Sequence, residues 1–116
     1  MWICLNDSFV SIVRKDCPAG HLLVRARRRK DLEALFPGAA IVEHAGTDYQ
    51  FRAAVPQLEV INVVSSRLLG IDYGNFKSSV DDDALHSAYS AVWSVMARLQ
   101  PTAPFAHRRG DLFGEV

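Results

Sequence analysis

The chain has 116 residues, 49% of them apolar and 22% charged, with thirteen Lys/Arg against thirteen Asp/Glu. A chain of this size buries roughly two thirds of the surface its unfolded form exposes, which supports a hydrophobic core without a metal or disulfide staple. The composition excludes a disordered, collagenous or coiled-coil chain, and the zero net charge excludes a uniformly basic protein.

Residues 1–6 and 9–15 are short β-rich runs around the turn formers Asn6-Asp7-Ser8, and predict a hairpin. Met1-Trp2-Ile3-Cys4 has no basic region ahead of an apolar stretch, so it predicts a strand and not an export signal. After the turn Cys17-Pro18-Ala19-Gly20, residues 21–29 predict a third strand. Its period of two puts Leu22, Val24 and Ala26 on one face and Leu23, Arg25, Arg27 and Arg29 on the other. Asp31 is a cap for a short helix over 32–36, stopped by Pro37-Gly38.

Residues 40–44 and 48–55 predict a second hairpin around Ala45-Gly46-Thr47, with Tyr49, Phe51, Ala53 and Val55 toward the core and Gln50, Arg52 and Ala54 away from it. Pro56 opens a helix to Leu69 whose apolar face is read as Leu58, Val60, Ile61, Val64 and Leu68, with Gly70 as its C-terminal cap. A loop over 71–80 carries Tyr73 and Phe76. Asp81-Asp82-Asp83 opens a last helix, where negative charge complements the helix dipole. Leu85, Tyr89, Val92, Met96 and Leu99 follow at 4-3-4-3 spacing as its buried stripe. The order β-β-β-α-β-β-α-α predicts an α+β fold, a mainly antiparallel sheet of about five strands with helices packed on one face. Residues 1–100 are read as one domain and 101–116 as a loosely ordered tail.

No catalytic motif stands out: there is no nucleophile elbow and no phosphate-binding glycine loop. His21, His44, His86 and His107 have no metal-ligand spacing, and the twelve residues between Cys4 and Cys17 fit neither a zinc site nor a dithiol pair. No metal or cofactor is therefore expected, and the cysteines are expected as reduced thiols in a cytoplasmic protein. No run of 18 apolar residues is present, so no membrane partner is expected. The aspartate run reads as helix capping, Ser87, Ser90 and Ser94 as the outer side of the last helix, and His86 as half-buried beside Trp93.

The basic residues are the most suggestive feature. Residues 1–30 hold seven Lys/Arg against two Asp/Glu, a net of +5, and the remainder is −5. The zero is therefore a cancellation between a basic three-stranded segment and an acidic remainder. Arg25, Arg27 and Arg29, with Arg52 on the later hairpin, predict a guanidinium-rich sheet face suited to phosphates or acidic protein surfaces. The competing reading pairs these arginines with Asp7, Glu43 or Asp48 on a merely solvated face.

Asn75-Phe76-Lys77-Ser78-Ser79-Val80, His86-Ser87-Ala88-Tyr89 and Val92-Trp93-x-x-Met96 resemble a family of small uncharacterised bacterial proteins with the ending NFK-x-SV…H-x-AY-x-x-VW-x-x-M. The opening Met-Trp-Ile-x-Leu-Asn-Asp-x-Phe and the run Leu-Val-Arg-Ala-Arg are similar to the same family, so the resemblance covers residues 1–97. It implies no activity and transfers no catalytic residue. Small proteins carried on mobile elements include inhibitors of host defence complexes such as anti-CRISPR proteins, an analogy of size and style.

The reading these features favour is a non-enzymatic interaction protein that binds a larger protein or nucleoprotein complex. Its expected contacts are Arg25, Arg27, Arg29 and Arg52 on the sheet, and Asn75, Lys77, His86 and Trp93 near the last helix. The alternative is direct nucleic-acid binding through the arginine face. A third reading is an enzyme assembled in three dimensions around His86, Tyr73 and the aspartates. Homodimerisation is compatible with each, with Tyr73-Gly74-Asn75-Phe76 and the last helix as the expected surfaces.

Overall fold

The computed structural model describes residues 1–44 and 46–101, so all of the expected loose tail except Pro101 lies outside the described residues. The chain divides into two compact units, residues 1–72 and a second beginning at Tyr73. The first unit runs β1 (Trp2–Cys4), β2 (Phe9–Val13), β3 (His21–Ala26), α1 (Arg29–Leu35), β4 (Val42–Glu43), β5 (Phe51–Pro56) and α2 (Gln57–Leu69). The strands form one antiparallel sheet in the order β1-β2-β3-β5-β4. With α3 (Asp83–Met96) of the second unit, the α+β class and the order of strands and helices are those expected.

Register assigns every strand residue to a face, because directly paired residues project to the same side. One face carries the rows Ile3–Val10, Ile12–Val24–Ala53, Leu22–Val55 and Ala26–Phe51. With Leu32, Leu35 and Phe36 from α1 and its end, and Val60 from α2, these residues make the core. Val24, Ala26 and Leu32 are fully buried, and each large side chain there contributes roughly 1.5–3 kcal/mol of transfer free energy.

The helix α1 begins three residues earlier than its apolar run suggests. Arg28, in extended conformation, is the N-cap residue, and Asp31 lies inside the first turn. The Asp31 carboxylate is buried and fully engaged: it accepts from the Phe9 amide at 3.1 Å and from Arg28 Nε and Nη2 at 3.1 and 2.7 Å. A single carboxylate thus ties the helix start to the first residue of β2, and Asp31 is not the N-cap that the sequence suggests. Because β3 stops at Ala26, Arg29 is the first residue of α1 and pairs with Glu33 at 3.4 Å; it does not project from the sheet.

At the other helix, Pro56 ends β5 and serves as the N-cap of α2. The buried face of α2 differs from the one expected. Val60 is buried and Val63 and Val64 pack against the core, whereas Leu58, Ile61 and Leu68 point outward. Arg67 donates to Asp7 at 2.8 Å, joining α2 to the β1–β2 turn. Partial burial pushes the Asp7 carboxyl up, but hydrogen bonds from Arg67 and Ser8 together with the Arg67 charge outweigh it and hold Asp7 below its ordinary value.

In the second unit, a 3-10 turn over Lys77–Ser79 precedes α3 (Asp83–Met96), and a second follows over Ala97–Leu99. Asp82 caps α3, its carboxylate accepting from the Leu85 amide at 3.0 Å. The aspartate run thus does the capping expected of it. The expected 4-3-4-3 stripe is not what is buried. Leu85 and Tyr89 are buried and Trp93 is half-buried, a straight four-residue spacing, while Val92, Met96 and Leu99 are exposed. Phe76 packs its ring 5.4 Å from Tyr89 and 5.9 Å from Tyr73, which holds the preceding loop onto the helix. Among the described residues no helix is long and apolar enough to cross a membrane.

Candidate interaction surface

The other face of the sheet holds the arginines. Its central row reads Trp2–Ser11–Arg25–Arg52–Val42 across all five strands, with Val13–Leu23–Ala54 beside it. Arg25 and Arg52 are therefore direct cross-strand neighbours, an arrangement of like charges that costs free energy unless something intervenes. Each is drawn to its own partner, Arg52 to the Asp48 carboxylate and Arg25 to the Tyr49 ring. The guanidinium carbon of Arg25 lies 4.5 Å from the Tyr49 ring centroid and that of Arg27 lies 4.6 Å from it. The electron-rich ring face attracts both cations, each contact worth about 0.5–1 kcal/mol or more where water is excluded.

Tyr49 was expected on the core side with Phe51, Ala53 and Val55. It precedes the first strand residue, Phe51, so strand alternation does not reach it, and it stands with the arginines instead. Tyr49 as a whole is 4% exposed, so it organises cations and offers no open surface on which a base can stack.

The segment Asp48-Tyr49 supplies further anchors. Arg52 Nε donates to the Tyr49 carbonyl at 3.1 Å, and its Nη2 lies 3.7 Å from an Asp48 carboxylate oxygen. Arg27 donates to the Asp48 carbonyl at 2.6 Å. Arg25 donates through Nη2 to the buried Ser11 hydroxyl at 2.8 Å, while its buried Nε has no hydrogen-bond partner among the described residues. The cations thus divide into two kinds. Arg28, Arg29, Arg52 and Arg67 face carboxylates, respectively Asp31, Glu33, Asp48 and Asp7. Arg25 and Arg27 have no ion-pair partner among the described residues, and Arg27 is exposed. Two fixed guanidinium groups of this kind suit a carboxylate or phosphate presented from outside. Beside them, a hollow of about 370 Å³ is lined by Leu23, Val42, Ala54, Arg52, His44 and Asp16.

Three of the four expected sheet arginines are therefore assembled, and Arg29 is not. Tyr49 and Ser11, which position the cluster, are additional. Ser11 is legible only once register sets it beside Arg25.

The four expected contacts of the second unit share no single geometry. Lys77 lies over the Trp93 ring at 4.6 Å. Asn75 accepts from the Ser78 amide at 3.0 Å and so shapes its own turn. His86, expected half-buried beside Trp93, is exposed. Among the described residues no three His, Cys, Asp or Glu converge to hold a metal ion. Cys4 and Cys17 are free thiols, and burial pushes that of Cys4 above its ordinary value. Comparison with protein-family models, curated proteins and solved structures found no match.

Proposed function

We propose that this protein is a non-enzymatic interaction protein that docks an acidic surface of a larger protein or nucleoprotein complex through Arg25, Arg27 and Arg52. One observation carries the reading: Arg25 and Arg27 are gathered on one buried tyrosine ring with no ion-pair partner among the described residues. A merely solvated face would spread its arginines and pair them, as Arg29 and Glu33 are paired. Fixing two cations beforehand lowers the ordering cost that a partner's carboxylates or phosphates would otherwise meet. A protein that acts by occupying such a surface is an inhibitor of whatever else uses it. The test is affinity capture from a bacterial lysate with the wild type and with Arg27→Glu. A partner retained by the wild type and lost with Arg27→Glu supports the reading; no partner, or one held equally by both, overturns it.

Direct nucleic-acid binding is the second reading, favoured by the exposed Arg27 guanidinium beside the semi-buried Arg25. With the Tyr49 ring covered, contact would be to phosphates, without base stacking. Affinity for a duplex oligonucleotide should then fall with salt by a log–log slope of about −0.9 for each phosphate neutralised. A flat salt response, or no shift at low salt, rules it out.

A further inference from the structure

The outward face of α2 carries a second surface, on the side of the sheet opposite the arginines. Leu58 is 68% exposed, Ile61 48%, Leu68 65% and Leu69 87%, while Val60 on the same helix is 4% exposed and turned to the core. With Ser65 they cover one continuous arc of the helix that contains no charged residue. The charged residues of α2, Glu59 and Arg67, border the hollow against α1 instead, and Arg67 is held by Asp7.

We propose that two copies of this chain pair through this face, their α2 helices antiparallel about a two-fold axis near Val63. The spacing of the outward residues is the reason. Leu58, Ile61, Ser65 and Leu68 follow at 3-4-3, which reads the same in both directions. An antiparallel two-fold places Leu58 against Leu68 of the second copy, and Ile61 against Ser65 of the second copy. Large thus meets large at the ends, and large meets small at the centre, where the helices come closest. A heterologous partner would require no such symmetry.

The area fits as well. Five side chains on this side of the unit, Leu58, Ile61, Leu68, Leu69 and Met1, are between 48% and 87% exposed. At roughly 60–120 Å² of apolar area per full side chain, they present roughly 210–420 Å². The upper end approaches the apolar content of one side of a standard interface of about 800 Å² per partner. Alongside α2 runs a groove of about 400 Å³, lined by Met1, Ile3, Leu22, Val60, Ile61 and Val64, which extends the apolar surface to β1. Pairing here leaves both arginine clusters free, so the pairing is independent of what those clusters bind.

Sedimentation equilibrium of the full chain tests the pairing, with an expected mass twice 12.9 kDa at micromolar concentration. Leu58→Glu and Leu68→Glu, both at exposed positions, should each weaken association at least about tenfold while leaving the circular dichroism spectrum unchanged. Leu58→Glu combined with Leu68→Lys in one chain sets opposite charges in register and should restore the doubled mass. A wild type that stays at 12.9 kDa at hundreds of micromolar, or a Leu58→Glu variant that still doubles, overturns the proposal. Failure of the Glu/Lys combination to restore association overturns the antiparallel register.

Discussion

The two faces of the sheet are made by the same strands, yet they are organised by different physics. On the helix side, rows such as Ile12–Val24–Ala53 exclude water and are held by area and shape. On the arginine side, the row Ser11–Arg25–Arg52 brings like charges together, and an aromatic ring beside Arg25, with a carboxylate and a backbone carbonyl beside Arg52, makes that tolerable. The first arrangement contributes stability. The second holds two cations at a fixed place, at a small cost in stability, which is what a contact surface requires.

Substitutions at four positions break or sharpen that comparison. The largest effect belongs to the helix side: Leu32→Ala, at a fully buried position, should cost about 2–5 kcal/mol in urea unfolding without altering partner capture. Next is Asp31→Ala, which strands the Phe9 amide and unpairs Arg28 and should cost about 3 kcal/mol by the same measurement. On the arginine face, Tyr49→Leu keeps an apolar side chain but removes the ring and with it two cation–π contacts, for an expected loss of about 1–2 kcal/mol. Tyr49→Phe, which keeps the ring, should stay within about 0.5 kcal/mol of wild type; equal losses in the two variants would show that the ring does not organise the cations.

At the last position, Asp7→Asn should cost less than about 1 kcal/mol at neutral pH because the pair with Arg67 is half exposed. Its pH dependence has a definite sign. The native carboxyl titrates below its ordinary value of 3.8, so its contribution is present above that pH and is lost as pH falls through the lower native value. The stability gap between wild type and Asp7→Asn should therefore close in acid. A gap that does not narrow at all as the pH is lowered past 3.8 would assign the effect to packing.

Strand identity and facing were legible because alternation is local: Val24, Ala26, Ala53 and Val55 are buried as their parity requires. Legibility failed where an element boundary moved. Ending β3 at Ala26 transfers Arg29 to a helix, and starting β5 at Phe51 releases Tyr49 from the core side. It failed again on the helices, where apolar residues exceed what one face can bury. In α2 the sequence offers Leu58, Val60, Ile61, Val63, Val64 and Leu68, and only the contact made by the folded unit selects Val60, Val63 and Val64. In α3 the apolar positions fit a 4-3 stripe, yet burial follows Leu85, Tyr89 and Trp93. The arginine cluster was legible as composition but not as geometry, since Ser11 and Tyr49 enter it through register and a turn.

The sheet ends on its two shortest strands, three residues in β1 and two in β4. An unpaired strand edge is a template on which a neighbouring chain can add its own backbone, and its hold grows with every residue in register. Edges this brief offer few rungs to such an intruder. The chain can therefore keep leucines on its surface without inviting open-ended stacking of sheets into fibres, and whatever contact it makes with another molecule is left to side chains, whose shape and charge are specific in a way that main-chain ladders are not.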